Sequence, residues 1–209
     1  MLRYVTQEGL ARWPHLRAGM FRDRAAQFSV RLGWPVQVDA AGFERDQYDA
    51  LDPLYVIWQE PGGGHGGSMR FLPTTGRCMV NEHFGHLTGG APVQDPQIWE
   101  CTRFCLAPGA GPHVAAALML AGGELLARQG LRHFVGVFDT HMQRIYRRIG
   151  SSPQVLGESG AGRDKTCLGL WSLTPEARAQ VGLRAGISVA ASDLWYRRAF
   201  GTGRDVLTG

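Results

Sequence analysis

The fold is decided between residues 98 and 138, which read IWECTRFCLAPGAGPHVAAALMLAGGELLARQGLRHFVGVF. Ile98–Leu106 has the composition of a strand, Pro112–Gln129 is rich in Ala and Leu and predicts a long helix, and His133–Phe138 predicts a short apolar strand. A strand, a helix and a second strand in succession predict a right-handed crossover within one sheet. The stretch therefore indicates a sheet covered by at least one helix.

Further elements extend this pattern in both directions. His15–Leu32 predicts an amphipathic helix that Gly33 ends. Leu54–Gln59 and Gly67–Leu72 predict a hairpin around the glycine-rich turn Pro61–Gly67. The remaining helices and strands are expected at Thr140–Ile149, Pro153–Leu156, Thr166–Trp171, Thr174–Ala185 and Ser188–Phe200. No repeat or linker divides these elements, so we expect a single domain over residues 1–209, an α/β (α+β) sandwich.

The composition is that of an ordinary globular protein. Hydrophobic residues make up 44% of the 209 residues and charged residues 19%. The longest apolar run, around Val114–Ala121, is too short to span a bilayer, and Met1–Trp13 lacks the apolar core of a signal peptide. We therefore expect no membrane span and a cytoplasmic location.

The cysteines and histidines do not predict a metal site or a disulfide framework. Cys78, Cys101, Cys105 and Cys167 are irregularly spaced. Cys101 and Cys105 would lie roughly 13 Å apart along a strand, which is too far for a disulfide or a shared metal. Buried reduced thiols are the better interpretation, and no metal is expected.

The positive charge is concentrated in the second half of the chain. Residues 1–120 carry 10 basic and 11 acidic groups, whereas residues 121–209 carry 12 basic and 7 acidic groups, and Lys165 is the only lysine. A genome rich in G and C would account for the arginine usage. The alternative is a basic face for an anionic partner, such as a phosphate-bearing ligand or an acidic carrier protein. Nucleic acid is not favoured, because no binding motif is present.

Several charged residues lie inside predicted strands. Arg70 lies in an apolar strand, and Glu100 and Arg103 lie within Ile98–Leu106. A charged side chain in such a strand must be paired or must line a site. With the loop carboxylates Asp46 and Asp49, they indicate a polar pocket cut into a sheet. The carboxylates could hold an amine and the arginines a carboxylate, which together would recognise an amino acid.

Each of these residues also has a structural interpretation. Arg24 and Phe28 share one helix face, where Arg24 could simply extend to solvent beside an aromatic ring. Trp34 could simply cover the edge of the hydrophobic core, and Asp46 and Asp49 could be solvated loop residues. The pattern of the whole set therefore matters more than any member.

That pattern resembles the LuxI-type autoinducer synthase family, the acyl-homoserine-lactone synthases. The matching residues occur in the family's order and spacing: Arg24-x3-Phe28-x5-Trp34, Glu44 to Asp49, Gly67 to Thr75 with Arg70, Phe84, and Trp99 to Phe104. The similarity covers about residues 1–175 and is most specific in the N-terminal half. Thr102 stands where many members have serine and keeps the hydroxyl group.

The resemblance implies an N-acyltransferase (GNAT-like) α-β-α sandwich with a mixed twisted central sheet. Residues 1–50 would contain the S-adenosylmethionine (SAM) binding region, and residues 98–175 would bind the acyl thioester. The family joins SAM, a co-substrate and not a cofactor, to an acyl chain carried by acyl carrier protein or coenzyme A. The products are an acyl-homoserine lactone used in quorum sensing, methylthioadenosine and the free carrier thiol.

The resemblance also assigns roles to individual residues. Glu100 would be the general base, acting directly or through a water, with Arg103 and Asp46 as further catalytic groups. Residues expected around SAM and the thioester are Arg24, Phe28, Trp34, Asp46, Asp49, Arg70, Phe84, Thr102, Arg103 and Phe104. The expected acyl pocket consists of Phe104, Leu118, Met119, Val137, Thr140, Met142 and Tyr146. In the family, a threonine near the position of Thr140 is linked to a preference for 3-oxo-acyl chains.

Two structural expectations follow. In a regular strand Glu100 and Thr102 face one way and Arg103 the other, so a shared site needs a bulge, or else the two residues serve opposite faces. A basic face including Arg147 and Arg148 would dock the acyl carrier, and a monomer is expected.

Two rival functions remain open at this point. A general acetyl-coenzyme A acetyltransferase would carry a basic residue before a glycine-rich loop, and Pro108–Pro112 keeps glycines without that residue. A non-catalytic scaffold protein would be favoured only if the Arg and Asp set were broken, and the set is complete.

Overall fold

A seven-stranded sheet forms the centre of the protein in the computed structural model, which describes residues 1–162, 165–172 and 174–201. The strands are β1 (Leu2–Thr6), β2 (Leu54–Gln59), β3 (His65–Pro73), β4 (Ile98–Leu106), β5 (His133–Asp139), β6 (Gln154–Ser159) and β7 (Thr166–Trp171). Their order across the sheet is β1-β2-β3-β4-β5-β7-β6. Only the β4–β5 pair is parallel among these neighbours, so the sheet is mixed, as predicted.

Helices cover both faces of this sheet. The helices are α1 (Gln7–Leu10), α2 (Pro14–Arg24), α3 (Met79–His83), α4 (Pro112–Arg128), α5 (Met142–Ile149), α6 (Pro175–Ala185) and α7 (Val189–Phe200). Strand β2 shows how the layers separate: Leu54 and Val56 pack in the core cluster that contains α4, whereas Tyr55 and Ile57 pack against α2. The predicted sandwich is confirmed, because alternate residues of one strand are buried under different helices.

The predicted crossover is present as β4, α4 and β5. Strands β4 and β5 pair at only three positions, Ile98↔His133, Trp99↔Phe134 and Glu100↔Val135. At the point of divergence a β-carbon on Gly136 would lie 2.8 Å from the carbonyl oxygen of Cys101, so glycine permits this close backbone approach. Beyond it the two strands separate and leave a gap in the sheet.

The predicted helix His15–Leu32 is two segments. Regular helix ends at Arg24, and Ala25–Arg31 continues as a π-helix. The wider turn is visible in the hydrogen bond from Leu32 N–H to the carbonyl of Gln27, five residues earlier, at 3.1 Å. Gly33 ends the segment with φ of +66°, the left-handed conformation that glycine adopts easily.

Some elements have no counterpart among the sequence predictions. Strand β1, the short helices α1 and α3, and the 3-10 turns Gln47–Leu51 and Gly85–Thr88 were not predicted. They span only four or five residues each, which is too short to show a clear hydrophobic period. In the described part of the chain, no helix is long and apolar enough to cross a membrane.

Candidate active site

Three arginines and three carboxylates form one buried group on the α2 side of the sheet, called here the ionic cluster: Arg24, Glu44, Asp46, Asp49, Arg70 and Arg103. Arg24 is 1% exposed and donates from Nε to Glu44 at 2.5 Å and from both terminal nitrogens to Asp49 at 2.9 Å. The cluster thereby connects α2 to the segment that follows it.

Arg70 connects the same segment to the sheet. Its side chain is fully buried and donates to Asp46 at 2.5 and 2.9 Å, to Asp49 at 2.9 Å, and to the Thr102 hydroxyl at 3.1 Å. Asp46 also caps the 3-10 turn by accepting from the Tyr48 and Asp49 amides. Arg70 therefore anchors the cluster to the sheet.

A bulge in β4 places Arg103 beside Arg70. Ser68 pairs with Cys105, whereas Arg70 pairs with Thr102, so β4 contains an extra residue between these positions. Arg103 has φ of +53°, a left-handed conformation that is uncommon for a residue with a side chain. The bulge turns Arg103 to the α2 side, where it contacts Glu44 at 2.9 Å and Asp46 at 2.7 Å. The bulge, which was one of the two expected alternatives, is therefore present in β4.

Asp46 and Asp49, which were expected to hold a substrate amine, are paired with arginines in this structure. Burial favours the neutral form of both carboxyl groups, but Arg70 beside Asp46 and Arg24 beside Asp49 outweigh it, and both pKa values lie below the usual range. Each carboxylate already accepts at least four hydrogen bonds. They position the arginines and the 43–52 segment instead.

Glu44 completes the cluster and was not among the predicted site residues. It is fully buried and accepts from Arg24 and Arg103. Its place in the acidic run Glu44 to Asp49 was visible in the sequence, but no periodicity indicated which carboxylates point inward. With Glu44 included, the cluster contains three positive and three negative groups, so its net charge is zero.

A cavity of about 270 Å³ begins beside the cluster and follows the gap between β4 and β5. Its charged end is lined by Arg103, Phe28, Trp34 and Phe84. Phe28 and Trp34 are stacked with ring centres 5.2 Å apart, and the Arg103 guanidinium lies 5.4 Å from the centre of the Phe28 ring. Beyond its cluster partners, Arg103 donates only to the Met79 sulfur, at 3.8 Å, among the described residues. One of its five N–H groups is therefore left for a ligand, and a second is held only by the weak sulfur acceptor.

The apolar part of the cavity, called here the apolar chamber, contains five of the seven predicted pocket residues: Phe104, Met119, Val137, Met142 and Tyr146. Further lining residues that were not predicted include Met69, Phe71, Gly122, Leu126, Phe134, Phe138 and Trp171. These face inward from β3, α4, β5 and β7. Their presence in the cavity lining depends on tertiary packing, which a single sequence does not show.

Leu118 and Thr140 do not line the cavity. Residues 119, 122, 123 and 126 form the inward stripe of α4, and Leu118 lies about 100° around the helix from Met119, in the core. The Thr140 hydroxyl donates to the carbonyl of Lys165 at 3.0 Å. Leu118 and Thr140 therefore differ from the other five residues expected in the pocket, which line the cavity.

Glu100 lies outside the cavity lining, at the level where β4 and β5 still pair. It is 1% exposed, and its two carboxylate oxygens accept the backbone N–H groups of Met79 at 3.0 Å and Val80 at 2.5 Å. Burial raises the pKa of Glu100, although both amides and Arg70 oppose the rise. The carboxylate therefore fixes α3, whose first residue, Met79, lines the cavity.

The outer face of α5 carries exposed arginines. Arg144, Arg147 and Arg148 are all exposed and make no salt bridge with a described residue, whereas Tyr146 and Ile149 on the other face are buried. The helix thus has one face in the chamber wall and a basic face towards solvent.

Comparison with known proteins gives one consistent result. Residues 14–180 match the family described as autoinducer synthase. An acyl-homoserine-lactone synthase from Rhizobium etli is 42% identical over 84% of this chain and 86% of its own length. The structure of MesI, a CoA-dependent acyl-homoserine lactone synthase, has a TM-score of 0.79 at 27% identity and covers 91% of this chain and 98% of its own.

A second solved structure was determined with ligands. TofI, in a ternary complex with an inhibitor and MTA, has a TM-score of 0.67 at 29% identity and covers 85% of this chain and 93% of its own. More distant N-acyltransferase structures share the fold alone.

Proposed function

Because the chain belongs to the autoinducer synthase family and is an acyl-homoserine-lactone synthase, we propose that it acylates the amine of SAM from an acyl thioester and closes the lactone. The observation that carries this proposal is a single cavity in which an arginine and stacked aromatic rings lie at one end and an apolar chamber at the other. Such a cavity suits one charged substrate and one apolar substrate.

SAM occupies the charged end in this proposal. Phe28 and Trp34 provide a stacked aromatic wall for the adenosyl group and the sulfonium, and Arg103 has N–H donors for the carboxylate. The MTA in the TofI complex supports this proposal, since methylthioadenosine is the part of SAM that the reaction releases. The other five members of the ionic cluster position Arg103 and the 43–52 segment and do not themselves contact the reacting atoms.

The reaction then has two bond exchanges. The SAM amine, once it has lost a proton, attacks the thioester carbon, and collapse of the tetrahedral oxyanion expels the carrier thiol. The edge of β4 beyond Glu100 has no strand partner in β5, so its backbone amides are suited to stabilise the oxyanion. The SAM carboxylate next attacks its own γ-carbon, which closes the lactone and expels methylthioadenosine.

Glu100 is the proposed base, and it acts through a water. Its oxygens each accept one amide and keep a further lone pair, and a raised pKa brings a carboxylate closer to the pKa that proton abstraction near neutral pH requires. Glu100→Gln tests this role. A base predicts a large loss of kcat with little change in SAM binding measured by calorimetry. Equal losses of kcat and SAM affinity would show that Glu100 only positions α3.

The acyl donor is proposed to dock on the basic face of α5, which forms one wall of the chamber. Arg144, Arg147 and Arg148, which form no salt bridge within the described part of the chain, offer positive charge to the acidic surface of an acyl carrier protein or to the phosphates of coenzyme A. MesI, a structural relative, is CoA-dependent, so both donor types belong in the test. We further propose that the enzyme is a monomer in the cytoplasm.

The central experiment supplies purified protein with SAM and a panel of acyl carrier protein and acyl-coenzyme A thioesters. Mass spectrometry should detect an acyl-homoserine lactone and methylthioadenosine in equal amounts. If neither product forms with any donor of the panel, the proposed reaction is wrong.

A further inference from the structure

Tyr146 brings a hydroxyl group into the apolar part of the cavity. The residue is 5% exposed and lines the chamber. Its hydroxyl makes no hydrogen bond with a described residue. Because the residue lines the cavity, this hydroxyl is available to a ligand bound there.

Aromatic neighbours fix the Tyr146 ring in place. Its centre lies 5.4 Å from that of Phe138, 5.2 Å from that of Trp171 and 6.3 Å from that of Phe104, all with edge-on geometry. These contacts restrict the side-chain torsions of Tyr146. The hydroxyl is thus presented in a defined place rather than swinging towards solvent.

Two other polar groups near Tyr146 have protein partners. The Trp171 ring N–H donates to the Ser151 carbonyl at 3.1 Å, and the Thr140 hydroxyl donates to the Lys165 carbonyl at 3.0 Å. Burial raises the pKa of the Tyr146 phenol well above its ordinary value, so the hydroxyl stays protonated at all physiological pH values. The hydroxyl has no hydrogen-bond partner among the described residues, and a ligand that supplies an acceptor would provide one.

Resting on the proposed function, we propose that Tyr146 selects acyl donors that carry an oxygen substituent near the thioester, either a hydroxyl or a ketone. The position follows from Phe104, which touches Tyr146 and directly follows Arg103 at the charged end of the cavity. The first carbons of the acyl chain must pass this point. Tyr146 can donate to a ketone and can donate to or accept from a hydroxyl.

The test compares three donors of equal chain length: unsubstituted, 3-hydroxy and 3-oxo acyl-coenzyme A, or the same chains on acyl carrier protein. The wild type should show a higher kcat/KM for at least one oxygenated donor than for the unsubstituted one. Tyr146→Phe should lower that ratio by roughly three- to tenfold, the effect of one neutral hydrogen bond. The two oxygenated arms show whether the hydroxyl or the ketone is read.

Thr140→Val is the matched control, because it also removes one hydroxyl next to the chamber. Its donor ratio should equal that of the wild type, and thermal unfolding should show that both variants are folded. The proposal is overturned if the wild type prefers the unsubstituted donor, if Tyr146→Phe leaves the ratio unchanged, or if Thr140→Val shifts it instead. Each of these outcomes requires lactone formation, so failure of the proposed reaction itself, with no product from any donor, is distinguishable.

Discussion

Replacement of Arg70 by methionine should strongly destabilise the protein, because it breaks the charge balance of the ionic cluster. The six groups carry three positive and three negative charges, and all are buried or nearly so. Without Arg70, Asp46 keeps only Arg103 and Asp49 keeps only Arg24 as charged partners. One buried negative charge is left without compensation.

Loss of one partner from a buried ion pair costs about 3–5 kcal/mol. For a domain of this size, that corresponds to a decrease in Tm of roughly 6–20 °C. Urea denaturation followed by circular dichroism would measure the change in the free energy of unfolding. Arg45→Met is the matched control: Arg45 pairs with Asp39, but these side chains are 44% and 33% exposed, so little change is expected.

A second substitution separates charge from packing. Asp46→Asn keeps a side chain that can cap the 3-10 turn but removes the uncompensated charge. In the Arg70→Met background it should destabilise less than it does in the wild type, by about 1 kcal/mol or more. A loss below about 1 kcal/mol for Arg70→Met alone, or strictly additive effects in the double variant, would refute the electrostatic explanation.

Three further predictions concern acid stability, the chamber and the donor. Because the pKa values of Asp46 and Asp49 are lowered in the folded state, their contribution to stability is complete well above their unfolded pKa of about 3.9 and is lost as the pH falls through that value towards the folded pKa. The urea midpoint should therefore begin to drop near about pH 5 and continue to drop at lower pH, less steeply in Arg70→Met, and an equal slope in both proteins would contradict this. Gly122→Ala should raise the free energy of unfolding by about 0.5–1 kcal/mol, since alanine favours the helix and its methyl group would lie 3.5 Å or more from its neighbours, and it should also reduce the use of the longest acyl chains in a product profile; a destabilised variant would show that the chamber wall is more tightly packed. Arg147→Glu with Arg148→Glu should raise KM for the acyl donor at low salt and leave KM for SAM unchanged, whereas unchanged donor kinetics would place docking elsewhere.

Much of the fold could be predicted because its central elements are long. The stretches Ile98–Leu106 and Pro112–Gln129 carry enough residues to show a period, and the structure ends these elements within one residue of the prediction. Elements of four or five residues, such as β1 and α3, lack that signal. The π-helical segment at Ala25–Arg31 was also not predicted, because its apolar pattern is compatible with an ordinary helix.

The candidate site was predicted as a set of residues but not as a set of contacts. The charged residues Arg70 and Arg103 inside strands indicated that partners must exist. The sequence did not indicate that protein carboxylates, rather than a substrate, are these partners, because Glu44 and Asp46 reach them from a loop with no period. The bulge that joins Arg103 to the cluster was recognised as one of two alternatives, and backbone geometry was needed to decide.

The balanced charges of the ionic cluster also restrict how this sequence can change over generations. Any single replacement of an arginine or a carboxylate leaves an unpaired buried charge, so most variants with one such replacement fold poorly. Two coordinated changes would be needed to reach another stable arrangement. We therefore expect deep mutational scanning to find these six positions intolerant even in a selection for folding alone, in which lactone synthesis is not required.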